Sequence, residues 1–431
     1  MVHRLLWWVE SSLPSSKLAA ANPAVSVLES QPQRHMGLRP LRPVAAIYLC
    51  GIVAFLNLYA TQPLLPMLTH LFHASKAAVG LTISVSTLGV ALAAPILGAL
   101  TERVSRKRRV IVTSVVVLSV PTLLAATSPG LHTLLFWRFM QGLAMPGIFA
   151  TVITYVGEEW RHESIALIMS LYVSATACGG FLGRFLAGLL ADTISWRWSF
   201  VALGALTLLG AAFIARWLPP ESPRPHHPHA EGAIASLWLA LRHFRNPRLL
   251  ATFGVGFGTL FTLVATFTYS TFYLADPPFR LSTLALSYLF AIYLVGLVIT
   301  PFGGYLVTRI GMRRGIAVAI AICFAGEAFT LSHHLWIVIF PGLGLLCSGV
   351  FIAQSTATSF LRMAAPAGGR ASAAGLYLAC YYVGGTIAGV APSYLWKLGG
   401  WPACVALVEV VLLAMLALAW IGWRNVGWSA H

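Results

Sequence analysis

The sequence predicts an all-α integral membrane protein, with twelve transmembrane helices in two pseudo-symmetric six-helix bundles. Composition, the length of the apolar runs and an internal repeat predict it. Of the 431 residues, 58% are hydrophobic and 9% charged, with a mean hydropathy of +0.80. A soluble domain carries roughly 25% charged residues, so most of this surface cannot face water. The apolar runs are long enough to cross a hydrocarbon core of roughly 30 Å as helix. Helices of soluble proteins average about a dozen residues and would not need such runs.

The runs fall at 44–65, 77–100, 110–128, 132–156, 164–190, 198–218, 249–274, 283–307, 315–332, 334–361, 371–394 and 401–423, here spans one to twelve. They divide the chain into a tail at 1–43, a first bundle at 44–218, a linker at 219–248, a second bundle at 249–423 and a tail at 424–431. The linker holds Pro219, Pro220, Pro223, Pro225 and Pro228 and a short amphipathic piece at 237–244. His226, His227 and His229 within it are read as a polar surface loop, and neither a metal site nor a cofactor is expected. Leu5–Val9 is too short for a signal-peptide core. Residues 1–35 are expected to be a disordered tail or to precede a true start at Met36. All six cysteines lie in apolar spans and are read as small packing residues.

A net charge of +16 raises nucleic-acid binding, which the placement of the charges excludes. Of 28 Lys and Arg residues, 22 fall on one side of the spans and four (Lys76, Arg197, Arg280, Lys397) on the other. That bias predicts both termini in the cytoplasm. The repeat appears as Gly98–Arg108 against Gly304–Arg314, offset by 206, and as Leu171-Tyr172 with Gly179-Gly180 against Leu376-Tyr377 with Gly384-Gly385, offset by 205. Two unrelated motifs with nearly one offset indicate duplication of a six-helix unit.

Gly98-x-Leu-x-Glu102-Arg103-x-Ser-Arg106-Lys107 resembles the loop 2–3 signature of the major facilitator superfamily, with Glu102 in place of Asp and Ser105 in place of Gly. Arg138-x-x-Gln141-Gly142 is similar to the superfamily's span-four motif. Tyr59–Pro66, Gly180-x-x-Gly183-Arg184, Trp196-Arg197, Asp276–Phe279 and Tyr381-Tyr382-x-Gly384-Gly385 resemble stretches of bacterial arabinose-efflux-type permeases. The resemblance implies a gate formed by Gly98, Glu102, Arg103, Arg106, Lys107 and the repeat's Arg309. In that gate Glu102 meets the N-terminus of span eleven near residues 370–372, where the helix dipole favours a carboxylate. Gly98 would permit the close helix approach that small residues allow in membranes. The competing reading is a solvated basic loop that sets topology.

Arg138 and Arg184 are the basic residues well inside spans, where a charge costs roughly 2.5–3.5 kcal/mol on insertion scales. Arg138 either binds an anionic group, or stabilises a nearby carboxylate, or snorkels to the interface. Arg184 lies in a glycine-rich stretch that resembles the superfamily's antiporter motif without its proline. Proton coupling is assigned to Arg138, Arg184, Glu327 and Glu409, with a structural hydrogen bond as the alternative for the two carboxylates. Solute contacts are assigned to Asn57, Gln62, Arg138, Gln141, Thr266, Tyr269, Gln354 and Tyr381. Polar stripes on spans one, seven, ten and eleven converge on one path, although simple interhelical hydrogen bonding would also explain them.

The expectation is a secondary transporter moving a small organic solute by alternating access, as proton-coupled efflux of a sugar, drug or metabolite. Uptake by proton symport is the alternative. No helical His-x-x-x-His, Gly-x-Ser-x-Gly or phosphate-binding loop occurs, and no output domain, so an enzyme or a sensor is not expected. The expected partners are the solute, protons and the lipid bilayer of a bacterial inner membrane, with the chain acting as a monomer.

Overall fold

The computed structural model describes residues 41–101, 104, 106–160, 162–221, 242–366 and 370–423. Glu102, Arg103, the histidines of the linker and the residues before Leu41 lie outside the described residues. Every regular element among the described residues is a helix, in the order of the twelve predicted spans. Nine of these helices are long and apolar enough to cross a bilayer. The others occupy spans eight (283–310), nine (Met312–Thr330) and eleven (Arg370–Ala388). Large apolar side chains such as Leu92, Ile96, Phe302, Phe340 and Ile421 remain exposed, as a lipid-facing surface requires.

Prolines set the breaks. Span one runs as Leu41–Leu58, passes through a 3-10 turn at Gln62–Leu64 and resumes as Leu65–Leu71, with Pro63 and Pro66 at the restarts. Proline has no N–H to give to the preceding turn, but suits the first turn of a new helix. Span four breaks in the same way, Leu131–Ala144 giving way to Pro146–Glu159. Spans six, seven and eight start on side-chain caps, Ser195, Asn246 and Ser282 accepting the backbone N–H of Arg197, Arg248 and Ala285. Span twelve starts where the sequence places it. Gly399 and Gly400 leave the helical backbone, Gly400 with φ +62°, and separate it from a preceding helical segment that begins at Ala391.

Duplication is visible in the packing. Span five lies against span one, and span eleven against span seven. A Cβ on Gly179 would stand 2.2 Å from the Ile52 carbonyl oxygen, and one on Gly384 would stand 2.0 Å from that of Phe257. Both members of this pair are displaced by the 205 residues that separate the sequence repeats. Between the halves, span two meets span eleven and span five meets span eight.

The halves touch at the end that carries loops 1–2 and 7–8. There Lys76 pairs with Asp276 at 3.0 Å and its ammonium lies 4.0 Å from the Trp396 ring centre. Ser84 Oγ donates to the Thr386 carbonyl at 2.6 Å, and Gly80 is so close to Gly389 that a Cβ would stand 2.2 Å from its carbonyl oxygen. Toward the opposite ends of the same helices, Gly98 and Gly375 have no heavy atom within 4 Å of a Cβ position. Among the described residues, Gly98 therefore does not stand at a close helix crossing.

Candidate functional site

Arg138 is fully buried, and all three nitrogens of its guanidinium donate hydrogen bonds. Nε donates to the Thr82 carbonyl at 3.1 Å, Nη1 to the Asn57 carbonyl at 2.7 Å and to Gln141 Oε1 at 2.6 Å, and Nη2 to the Leu58 carbonyl. Asn57 and Leu58 end the first helix of span one, where the Asn57 carbonyl keeps only a long bond from the Ala60 N–H at 3.4 Å in place of a regular helical partner. Arg138 thus caps a broken helix from outside it, placing a cation at the negative end of the dipole. Gln141 Nε2 goes on to Thr122, which donates to Asn57 Oδ1, and Asn57 Nδ2 donates to Thr207 at 3.0 Å. Asn57, Arg138 and Gln141, expected to line the solute path, instead close a network among spans one, two, three, four and six. Their polar groups are consumed because the proline break leaves carbonyls to satisfy.

Arg184 is buried to the same degree but held differently. Nε donates to Gln62 Oε1 at 2.7 Å and Nη1 to the Gly180 carbonyl at 2.6 Å. The rings of Tyr59, Phe290 and Tyr293 lie 4.8, 4.8 and 4.6 Å from Cζ, within cation–π range. Gln62 Nε2 then crosses to the second half, donating to Thr268 at 3.0 Å. Tyr381 lies within electrostatic reach of Tyr59, Tyr293, Tyr377 and Tyr382, and Tyr382 stacks on Phe149 at 6.4 Å. Arg184 and Gln62 therefore meet where spans one, five and eight face one another, and Tyr381 of span eleven lies within electrostatic reach of the Tyr59 and Tyr293 rings that flank Arg184. Tyr59, Phe149, Thr268, Phe290, Tyr293 and Tyr382 complete the group and were not singled out as contacts from the sequence. The duplicated Tyr172 and Tyr377 were a signal for it. Their hydroxyls are both buried and without hydrogen-bond partners among the described residues.

Glu327 is wholly buried in span nine. Thr266 donates to its Oε1, while Oε2 has no hydrogen-bond partner among the described residues. Glu409, half-buried on span twelve, Cys323 and Cys404 lie within electrostatic reach of it. The polar stripe of span seven does not face one path. Thr266 turns to Glu327, Tyr269 donates to the Gly389 carbonyl at 3.0 Å, and Tyr273 to the Ser332 carbonyl at 3.0 Å. On span ten, the Gln354 carbonyl accepts from Thr358 at 2.9 Å, and the side chain of Gln354 is half-buried.

Of the gating set, Lys107 pairs with Glu158 at 2.8 Å, inside its own half. Arg106 is exposed, and Arg309 stacks 5.1 Å from the centre of the neighbouring Tyr305 ring. Ser372, where Glu102 was expected to dock, lies 2.8 Å from the His243 ring nitrogen.

A multi-pass helical bundle, duplicated and carrying buried polar groups where its halves meet, is the architecture of a secondary transporter. The family model of the major facilitator superfamily matches residues 47–389, and the chain belongs to that superfamily. It is 32% identical to the MFS-type transporter YybF of Bacillus subtilis (strain 168) over 87% of this chain and 91% of that protein. It is 30% identical to the inner membrane transport protein YnfM of Escherichia coli (strain K12), over 87% and 89%. The solved structure of a bacterial homologue of the human lysosomal transporter Spinster, inward-facing and occupied, superposes with a TM-score of 0.73 at 16% identity, covering 92% of this chain and 100% of that one. The relatives are transporters rather than enzymes, and the chain is a membrane-embedded secondary transporter of a solute.

Proposed function

We propose that this transporter exports a small organic solute in exchange for protons, with the carboxyl of Glu327 as the proton carrier. The orphaned Oε2 supports this reading. A carboxyl oxygen buried without a partner is costly to leave unpaired, and inside a membrane such a group marks a functional site. No ion pair reaches Glu327 among the described residues, so no cation holds it permanently in one charge state. Thr266 joins it to span seven, a neighbour of span eleven at the junction of the halves. Export, an inner-membrane location, both termini cytoplasmic and action as a monomer are parts of the same reading. They are supported by the resemblance to efflux permeases and by the one-sided distribution of basic residues. On this orientation the contact through Lys76 and Asp276 closes the outer side.

Proteoliposomes with an imposed pH gradient test it. Glu327→Gln is expected to abolish gradient-driven movement of a transported solute while leaving solute–solute exchange intact. Wild-type gradient dependence in that variant removes Glu327 from the carrier role. Protons moving in the same direction as the solute overturn export in favour of symport.

A further inference from the structure

We infer that the central site takes an organic anion with an aromatic or similarly planar apolar body, its anionic group received by Nη2 of Arg184. This deepens the transport reading and rests on it. Arg184 is a cation buried in the bilayer interior without a carboxylate, since the ion pairs among the described residues are Lys76–Asp276 and Lys107–Glu158. Such a charge is unfavourable unless something compensates it. Arg138 shows how far compensation goes elsewhere in this same protein: all three nitrogens donate, to four acceptors. Arg184 has two acceptors, Gln62 Oε1 and the Gly180 carbonyl, and Nη2 donates to no described residue.

The surroundings specify the remainder of the ligand. Tyr59, Phe290 and Tyr293 hold the guanidinium between their rings, and Tyr377 and Tyr381 continue the aromatic surface, stacked at 6.2 Å. A flat apolar body can stack on such rings. The hydroxyl of Tyr377, one turn from Tyr381, has no hydrogen-bond partner among the described residues and is open to a polar substituent. No acidic side chain belongs to this group, so an organic cation would meet Arg184 without a counter-charge. Gln62 ties the anion site to movement, because it accepts from Arg184 and donates across the halves to Thr268. An anion that draws Arg184 toward itself competes with that link.

The test is equilibrium binding to the full chain in lipid nanodiscs, using three probes of one shape: 1-naphthoate, 1-naphthylmethylammonium and 1-naphthylmethanol. Naphthoate is expected to bind at least about tenfold more tightly than either of the others. Arg184→Gln is expected to remove that preference and keep a melting temperature within a few degrees of wild type, while Arg184→Lys, lacking the planar fork, recovers part of it. Equal affinity for the three probes, or an unchanged preference in Arg184→Gln, overturns the proposal. Should the glutamine variant not fold, the three-probe comparison in the wild type decides alone. The probe preference is read in the wild type without a pH gradient, and gradient-driven transport is read separately, so a failure of proton coupling and a failure of anion recognition are separate results.

Discussion

Two arginines in the first half of this transporter are equally buried, yet they are different devices. Arg138 spends its donors on the backbone, tying the broken end of span one to span two through the carbonyls of Asn57, Leu58 and Thr82. Arg184 spends two donors and rests its face on three aromatic rings, which stabilise charge without consuming N–H groups. Burial does not separate them. The number of acceptors within reach does: with four, Arg138 is a joint, and with two, Arg184 keeps a nitrogen for a ligand.

The strongest test of this contrast is to remove the joint. Arg138→Leu takes from the Leu58 carbonyl its side-chain donor, strips a donor each from Asn57, Thr82 and Gln141 in the bilayer interior, and is expected to cost about 3–5 kcal/mol, seen as loss of monodisperse protein and a lowered melting temperature. Arg138→Lys should also melt lower, since one ammonium cannot reach all four acceptors in the arginine geometry. A leucine variant that melts like wild type would end the capping role and return Arg138 to transport.

Next in size is Gly183→Ala, beside Arg184. Its Cβ would stand 1.9 Å from the Leu56 carbonyl oxygen, backbone against backbone, so spans one and five must move apart. About 1–3 kcal/mol is expected, against no measurable change for Gly98→Ala, whose Cβ meets open space. Equal melting of the two variants would show that the span one–span five contact yields easily.

Arg184→Gln should change stability by no more than about 1 kcal/mol, because an uncompensated buried charge contributes little net stability. Its effect belongs in ligand binding, as set out above. A collapse in melting temperature matching that of Arg138→Leu would make both arginines joints.

Smallest in energy is Lys76→Ala. This ion pair is partly exposed and screened, worth about 0.2–1 kcal/mol, but it spans the halves. Labelling of a cysteine placed at Ser84 should rise in the variant, and rise in the wild type at high salt. Unchanged labelling in both would mean that the Gly80–Gly389 contact alone closes this end.

The number of spans, the duplication and the superfamily were legible because each depends on local or self-similar patterns. Apolar runs, Pro63, Pro66 and Pro146 act on the residues beside them, and the glycines at 179 and 384 recur at the repeat offset. The start of span twelve was legible for the same local reason, since Gly399 and Gly400 leave the helical backbone just before Trp401. Polar spacing on span seven gave a stripe but not the neighbours of each hydroxyl, which go to spans nine and eleven and the loop after span nine.

By itself the sequence determined that this chain crosses a membrane as two related six-helix units, because hydrophobic length and repetition are properties of the chain in order. Tertiary structure decided which buried arginine is occupied. The acceptors of Arg138 include carbonyls 56, 80 and 81 residues away, and that of Arg184 Nε lies 122 residues away. Any residue type can supply a backbone carbonyl, so no motif announces where one will be waiting, and only the packing of the spans brings donor and acceptor together.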